Sequence, residues 1–261
     1  MKVRYYTFLV ALACLIILVA IPGCGQSETN YVEIDNESLY QVSTYGALSK
    51  GFYDGVVEIA ILKEKGDFGL GTLNGLDGEM VVLDGEYYQI KTDGKAYAIA
   101  DSSLSPFADV TFFDSDTQAN PPEGLDYSGL QSYINGILPS KNTFFAIKIE
   151  GSFSYVKARS VPAQNEPYPI LTDALKNQTV FEYNSVQGIM VGFWCPSYTG
   201  SVCIPAYHLH FITDDREAGG HVLDMKLGAV TVSLDETNDL EVQLPSSDDF
   251  LHMNLESATG E

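Results

Sequence analysis

Tyr207-His-Leu-His-Phe-Ile212 places His208 and His210 two apart in an apolar run, and His221 follows Gly219-Gly220 shortly after. No other part of the chain constrains the fold as tightly. Leu209, Phe211 and Ile212 mark the first segment as a strand. Side chains two apart on a strand share a face, so His208 and His210 project together. The polar stretch from Thr213 to Gly220 reads as a turn, and His221 to Met225 as the return strand. An antiparallel return brings His221 beside the first pair. Three imidazoles converging on one point suit zinc or a similar borderline metal and leave a position for water or substrate. A chance pair of histidines would account for His208-x-His210 alone. A third across a glycine-rich turn favours the metal.

The rest of the chain reads as short strands with few helices. Strands are predicted at Val56–Leu62, Met80–Leu83, Tyr87–Ile90, Ala96–Ile99, Asp109–Phe113, Thr143–Glu150 and Ser152–Arg159, with Glu150-Gly151 as a turn. Further strands are predicted at Val186–Trp194, Cys203–Ile212, Ala229–Leu234 and Leu240–Leu244. Short helices are predicted at Ser43–Gly51, Asp126–Leu138 and Thr172–Lys176. The class is α+β, dominated by antiparallel or mixed sheet in two packed sheet-based domains. The proline-rich run from Pro162 to Pro169 separates an N-terminal mixed-sheet domain (39–160) from a C-terminal antiparallel domain (161–261) carrying the histidines.

Lys2 and Arg4 precede an apolar run from Thr7 to Ile21, too short to span a membrane and long enough for a signal-peptide core. Ile21-Pro-Gly-Cys24 resembles a lipoprotein processing site. Residues 1–23 are therefore expected to be a signal, 24–38 a tether, and Cys24 a lipid-bearing residue anchoring an extracytoplasmic body, with an uncleaved anchor or ordinary secretion as the alternatives because Pro22 is unusual in such a site. About 235 residues remain, enough for a sizeable core. The net charge of −21 excludes a nucleic-acid partner, which needs basic patches. Cys195 and Cys203 bracket a turn-like stretch. A disulfide is expected in an oxidising compartment, with two free buried thiols or soft metal ligands as the rival readings.

Gly66-Asp-Phe-Gly-Leu-Gly-Thr72 has neither GxGxxG nor GxxxxGK[ST], so its glycines serve tight turns or close backbone approach rather than phosphate binding. Glu79 starts an apolar strand, and taken alone is an ordinary strand-end carboxylate. Arg159 ends another strand. Arginine is scarce here, and a guanidinium at such a place suits clamping a carboxylate, with a surface ion pair as the alternative. No GxSxG nucleophile elbow occurs.

Together these segments resemble the acetolactate decarboxylase family. The resemblance is carried by LYQVSTYGALSKGFYDG (39–55), GDFGLGTLNGLDGEMVVLDGEYY (66–88), SPFADVTFF (105–113), ARSVPAQNEPY (158–168), GIMVGFWCPSY (188–198) and AYHLHFITDDREAGGHVLD (206–224). It implies two packed sheet-based domains, usually a homodimer, and a zinc enzyme converting 2-acetolactate to (R)-acetoin and CO2 in the acetoin and butanediol pathway. His208, His210 and His221 are the implied zinc ligands, with Glu79 and Arg159 as active-site residues. The metal serves as Lewis acid for the enediolate, Arg159 binds the carboxylate, and Glu79 moves a proton. The family also carries a tail glutamate near the metal, for which Glu256 and Glu261 are the candidates. Two alternatives remain: a non-catalytic metal-binding surface lipoprotein on this scaffold, and a cupin-type site, whose spacing fits poorly because His221 follows too soon.

Overall fold

A computed structural model describes residues 37–256; the predicted signal and most of the tether lie outside these residues. In chain order the described elements are β1 (Ser38–Val42), α1 (Tyr45–Ser49), β2 (Val57–Glu58), α2 (Ile59–Lys63), β3 (Phe68–Thr72), β4 (Glu79–Leu83), β5 (Glu86–Ile90) and β6 (Ala96–Ala98). There follow β7 (Leu104–Ser105), β8 (Phe107–Thr111), β9 (Thr117–Ala119), α3 (Tyr127–Ile137), β10 (Phe144–Ser160), α4 (Leu171–Ala174) and β11 (Thr179–Cys195). The last are β12 (Ala206–Thr213), β13 (Gly219–Thr237), β14 (Asp239–Gln243) and α5 (Asp248–His252).

Two main sheets carry the fold. The first runs β14-β1-β8-β3-β4-β5-β6, and the second β10-β11-β12-β13-β9. In the second sheet β10 also pairs with β13, so four of its strands close into a ring. Relative to a boundary at residue 160, β10 lies with the C-terminal strands and β14 returns to the first sheet, parallel to β1.

The alternation of side chains shows how the sheets meet. On β10, Phe145, Ile147 and Ile149 enter a core capped by Leu130 and Ile134 of α3. The intervening Phe144 and Ala146 enter a second core with Leu70, Val81 and Leu83 of the first sheet. This two-residue period is what a strand buried on both faces produces. The far face of the first sheet (Tyr40, Met80, Val82 and Val110) is covered by Ile59 and Leu62 of α2. The helices at 45–49 and 127–137 lie within the predicted segments, and that at 171–174 overlaps the predicted Thr172–Lys176. Asp126 caps α3, its carboxylate accepting from the Gly129 amide at 2.8 Å.

Four expectations are corrected. Val56–Leu62 is a two-residue strand followed by α2, because Ile59 and Leu62 are buried at helical spacing while Ile61 stays exposed. Glu150-Gly151 is not a turn. β10 runs through it with an irregular register, and Gly151 is needed because a Cβ there would lie 2.3 Å from the Ala229 carbonyl. The separate strands at His221–Met225 and Ala229–Leu234 are likewise one strand, β13. Cys195 and Cys203 form no disulfide: they are free thiols buried in the core between the sheets, in hydrogen-bonding reach of each other, and not among the metal-ligating group.

A buried polar pair sits in the first sheet. Asp109 and Gln41 are direct cross-strand partners, and both Asp109 Oδ1 and Gln41 Oε1 lack a donor. Burial pushes the Asp109 carboxyl up to about 8, so it is neutral at pH 7 and can donate to the Gln41 oxygen. The folded protein thus holds this proton more tightly than the unfolded chain, where the value is 3.8. Its favourable contribution is complete below about pH 4 and is lost as pH rises towards about 8. Asp109→Asn keeps a donor and removes the titration. The variant should gain on the wild type by up to about 1.4 kcal/mol per pH unit between pH 5 and 8. Denaturant midpoints at the two pH values check this, and parallel profiles would refute it.

Candidate metal centre

The strand periodicity that builds the two cores also builds the site between the sheets. On β12, Leu209 and Phe211 enter the α3-capped core while Ile212 enters the core facing the first sheet. His208 and His210 share the face of Ile212 and so look towards the first sheet. His221 lies directly opposite His210 across the β12–β13 ladder. Ligand nitrogens of the three lie within 4.8 Å of one another, and their ring centroids are 5.0, 5.1 and 5.2 Å apart. Among the described residues this is the group of His, Cys, Asp or Glu side chains arranged to hold a metal ion.

Glu79 arrives from the opposing sheet. On β4, Val81 and Leu83 face the second sheet while Met80 and Val82 face α2, which puts Glu79 on the inner face. Its Oε2 lies 3.6 Å from His210 Nε2, and its Oε1 lies 4.0 Å from an Arg159 guanidinium nitrogen. Arg159 owes its direction to an irregularity in β10. Phe145, Ile147, Ile149 and Phe153 are odd-numbered core residues, whereas Val156 and Ala158 are even-numbered ones. The β10–β13 register shifts between Phe153 and Tyr155. This change of phase turns Arg159 out of the α3-capped core and beside His221, its cross-strand partner.

The electrostatics fit a cation. Burial holds His208 and His221 well below the usual imidazole range, with mutual repulsion and Arg159 adding to it, and takes His210 down to about 3. All three are neutral at pH 7, with lone pairs free for coordination. His210 Nδ1 lies 2.8 Å from the Met80 carbonyl, which can only accept, so Nδ1 carries the proton and Nε2 presents the lone pair. Burial pushes the Glu79 carboxyl up to about 7 against the pull of Arg159. Four buried atoms here lack a hydrogen-bond partner: His208 Nδ1, His210 Nε2, Glu79 Oε1 and one Arg159 nitrogen. Native proteins rarely leave so many buried polar atoms unsatisfied in one place. A metal with a polar ligand would satisfy them, so the donor set fits the group that the histidines imply.

A cavity of about 260 Å³ opens on the site. Its polar end holds the histidines, Glu79, Arg159 and Thr72, and its walls include Tyr45, Leu48, Leu171, Leu175 and Ile204. Thr72 escaped sequence reading, although it is the cross-strand partner of Glu79. It sits at the end of the glycine-rich run, which forms β3, and the expected close backbone approach is met there: Cβ atoms on Gly69 and Gly71 would strike the Asp109 and Phe107 carbonyls. Tyr207 also lines the cavity and was legible only as a strand residue. Glu256 is exposed beyond α5 and stands outside the metal group, and Glu261 lies outside the described residues.

Close packing holds β12 in position. A Cβ on Gly192 of β11 would lie 2.0 Å from the His208 carbonyl and 2.5 Å from a Leu209 methyl. Gly192→Ala should therefore cost about 3 kcal/mol, at the upper end of overpacking effects, and lower metal retention by displacing His208. Denaturant melts with metal content measured on the same samples check it. Wild-type values for both would contradict this account of the strand spacing.

Comparison with known proteins agrees with this geometry. The family model for alpha-acetolactate decarboxylase matches residues 39–257. An alpha-acetolactate decarboxylase of Methanosarcina mazei is 50% identical over 220 residues, covering 84% of this chain and 76% of that protein. One from Bacillus licheniformis is 40% identical over 224 residues, covering 86% and 88%. The crystal structure of the Bacillus subtilis alpha-acetolactate decarboxylase superposes with a TM-score of 0.82 at 39% identity, covering 84% of this chain and 94% of that one. With the matched region spanning both sheets and every residue of the metal centre, the chain belongs to the alpha-acetolactate decarboxylase family.

Proposed function

We propose that this protein decarboxylates 2-acetolactate to acetoin and CO2, with zinc held by His208, His210 and His221. The observation that carries the reading is the convergence of three neutral imidazoles, a guanidinium and a carboxyl of raised pKa at the end of a small cavity. When bound, the metal supplies a Lewis acid for charge that develops on the substrate's hydroxyl and keto oxygens.

The chain's own residues do the rest. Arg159 has one buried nitrogen without a hydrogen-bond partner, placed to take the substrate carboxylate and orient it for departure. The apolar walls at Leu48, Leu171, Leu175 and Ile204 exclude water, which favours a charged carboxylate leaving as neutral CO2. Loss of CO2 leaves an electron pair on carbon that must take a proton. Glu79, near 7, is balanced between its charged and neutral forms and can deliver one. It approaches from the first sheet only, so delivery to one face of the carbon gives a single enantiomer of acetoin, (R) by the family resemblance.

By the same reading the body works outside the cytoplasm, tethered through lipid on Cys24, as a homodimer. Its support is the N-terminal sequence and the family resemblance. Incubation of the purified protein with racemic acetolactate, with chiral analysis of the product and metal content on the same sample, tests the function. Single-enantiomer acetoin with about one zinc per chain is expected. Bound metal with no CO2 release would overturn it in favour of a metal-binding role.

A further inference from the structure

We propose that Cys195 and Cys203 form a redox-active dithiol that closes to an intramolecular disulfide by exchange with a disulfide-bearing small molecule or protein, stiffening one wall of the metal cavity. The two thiols lie outside the site described above and take no part in its chemistry. Cys195 ends β11, and Cys203 follows a 3-10 turn at Ser197–Thr199. Their thiols lie within hydrogen-bonding reach of each other in one core, and both are buried, at 2% and 0% exposure. The segment between them already folds back on itself: Thr199 donates to the Pro196 carbonyl and Val202 to the Thr199 carbonyl, each at 3.1 Å. The backbone thus holds the two sulfurs together before any bond forms.

The loop they bracket supports the cavity. Its Val202 carbonyl accepts from the Tyr45 amide at 2.9 Å and from the Gln41 side chain at 2.8 Å, and its Ser201 carbonyl accepts from the Gly46 amide at 2.8 Å. Tyr45 and Leu48 of α1 line the metal cavity, as does Ile204, the residue after Cys203. A covalent bond between positions 195 and 203 would fix the carbonyls on which α1 rests. The neighbouring Cys203 thiol and burial push the Cys195 thiol up and keep it protonated. Exchange therefore requires the half-exposed loop to open and ionise one thiol. The thiolate attacks a disulfide R–S–S–R, giving a mixed disulfide and one R–SH. The second cysteine then displaces the other R–SH. The protein loses two electrons and two protons to R–S–S–R, which leaves as two thiols.

The test uses the full chain equilibrated in buffers of varied reduced to oxidised glutathione ratio, then acid-quenched and alkylated. Mass spectrometry of the peptide containing residues 195–203 reads the disulfide directly, so the result stands even if a cysteine variant folds poorly. The expected result is an intramolecular disulfide that rises with the oxidised fraction and raises Tm by about 5 °C. Amide hydrogen exchange at Tyr45 and Gly46 should slow at the same ratios, and Cys203→Ala should show neither change. Full alkylation of both cysteines at every ratio, or only a glutathione adduct, would overturn the dithiol. A disulfide with unchanged Tyr45 and Gly46 exchange would overturn its coupling to the cavity. None of these readouts depends on turnover, so their failure is distinct from failure of the proposed decarboxylation.

Discussion

Replacing His210 with alanine should lower metal affinity on the order of a thousandfold and abolish turnover at ordinary zinc concentrations. A zinc site built of three or four protein ligands binds with roughly 10–16 kcal/mol, so one ligand carries about 4 kcal/mol. His210 is the most consequential of the three. It is 1% exposed, its Nδ1 proton is tied to the Met80 carbonyl, and its Nε2 lies 3.6 Å from Glu79. Its loss removes a ligand and the link between the two sheets at the site. Metal content after dialysis, with circular dichroism to confirm folding, measures the effect. A folded His210→Ala protein with full metal content would show that the ion is held elsewhere.

Glu79→Gln should leave metal content and folding intact while reducing kcat by about 10² to 10⁴, the range of a lost proton-transfer group. Glutamine fills the same space beside Arg159, whose nitrogen lies 4.0 Å from the carboxylate. It also removes a carboxyl that burial disfavours in its charged form. Because the folded carboxyl titrates near 7, against 4.5 for the free group, it favours folding below about pH 4.5 and loses that contribution as pH rises through 7. The variant should therefore be at least as stable as the wild type at pH 8, while being nearly inactive. Steady-state kinetics with thermal melts at pH 8 check both halves. Undiminished kcat would remove Glu79 from the chemistry, and lost metal would make it a ligand.

The histidine hairpin was legible because its signal is local: two histidines on one strand face, a polar turn, and a third on the return. Glu79 and Arg159 were different. Nothing in their immediate sequence separates them from a strand-end carboxylate and a surface arginine, and they were found through family resemblance. Their meeting depends on two facts that no short window contains. The first sheet must pack its odd-numbered β4 face on the second, and β10 must change phase between Phe153 and Val156. Glycine was read in part: the close backbone approach expected of the 66–72 run is what Gly69 and Gly71 provide in a central strand, where neighbouring carbonyls leave no room for a Cβ. The β-branched run from Val56 to Leu62 read as strand, and tertiary burial of Ile59 and Leu62 made most of it helix.

X-ray absorption at the zinc edge of the metal-loaded protein tests the account at its centre, because it reads the ligands without reference to activity. The prediction is three imidazole nitrogens at about 2.0–2.1 Å with oxygen completing the shell, and a change in the oxygen signal when substrate is added. A sulfur ligand at about 2.3 Å, or fewer than three imidazoles, would contradict it.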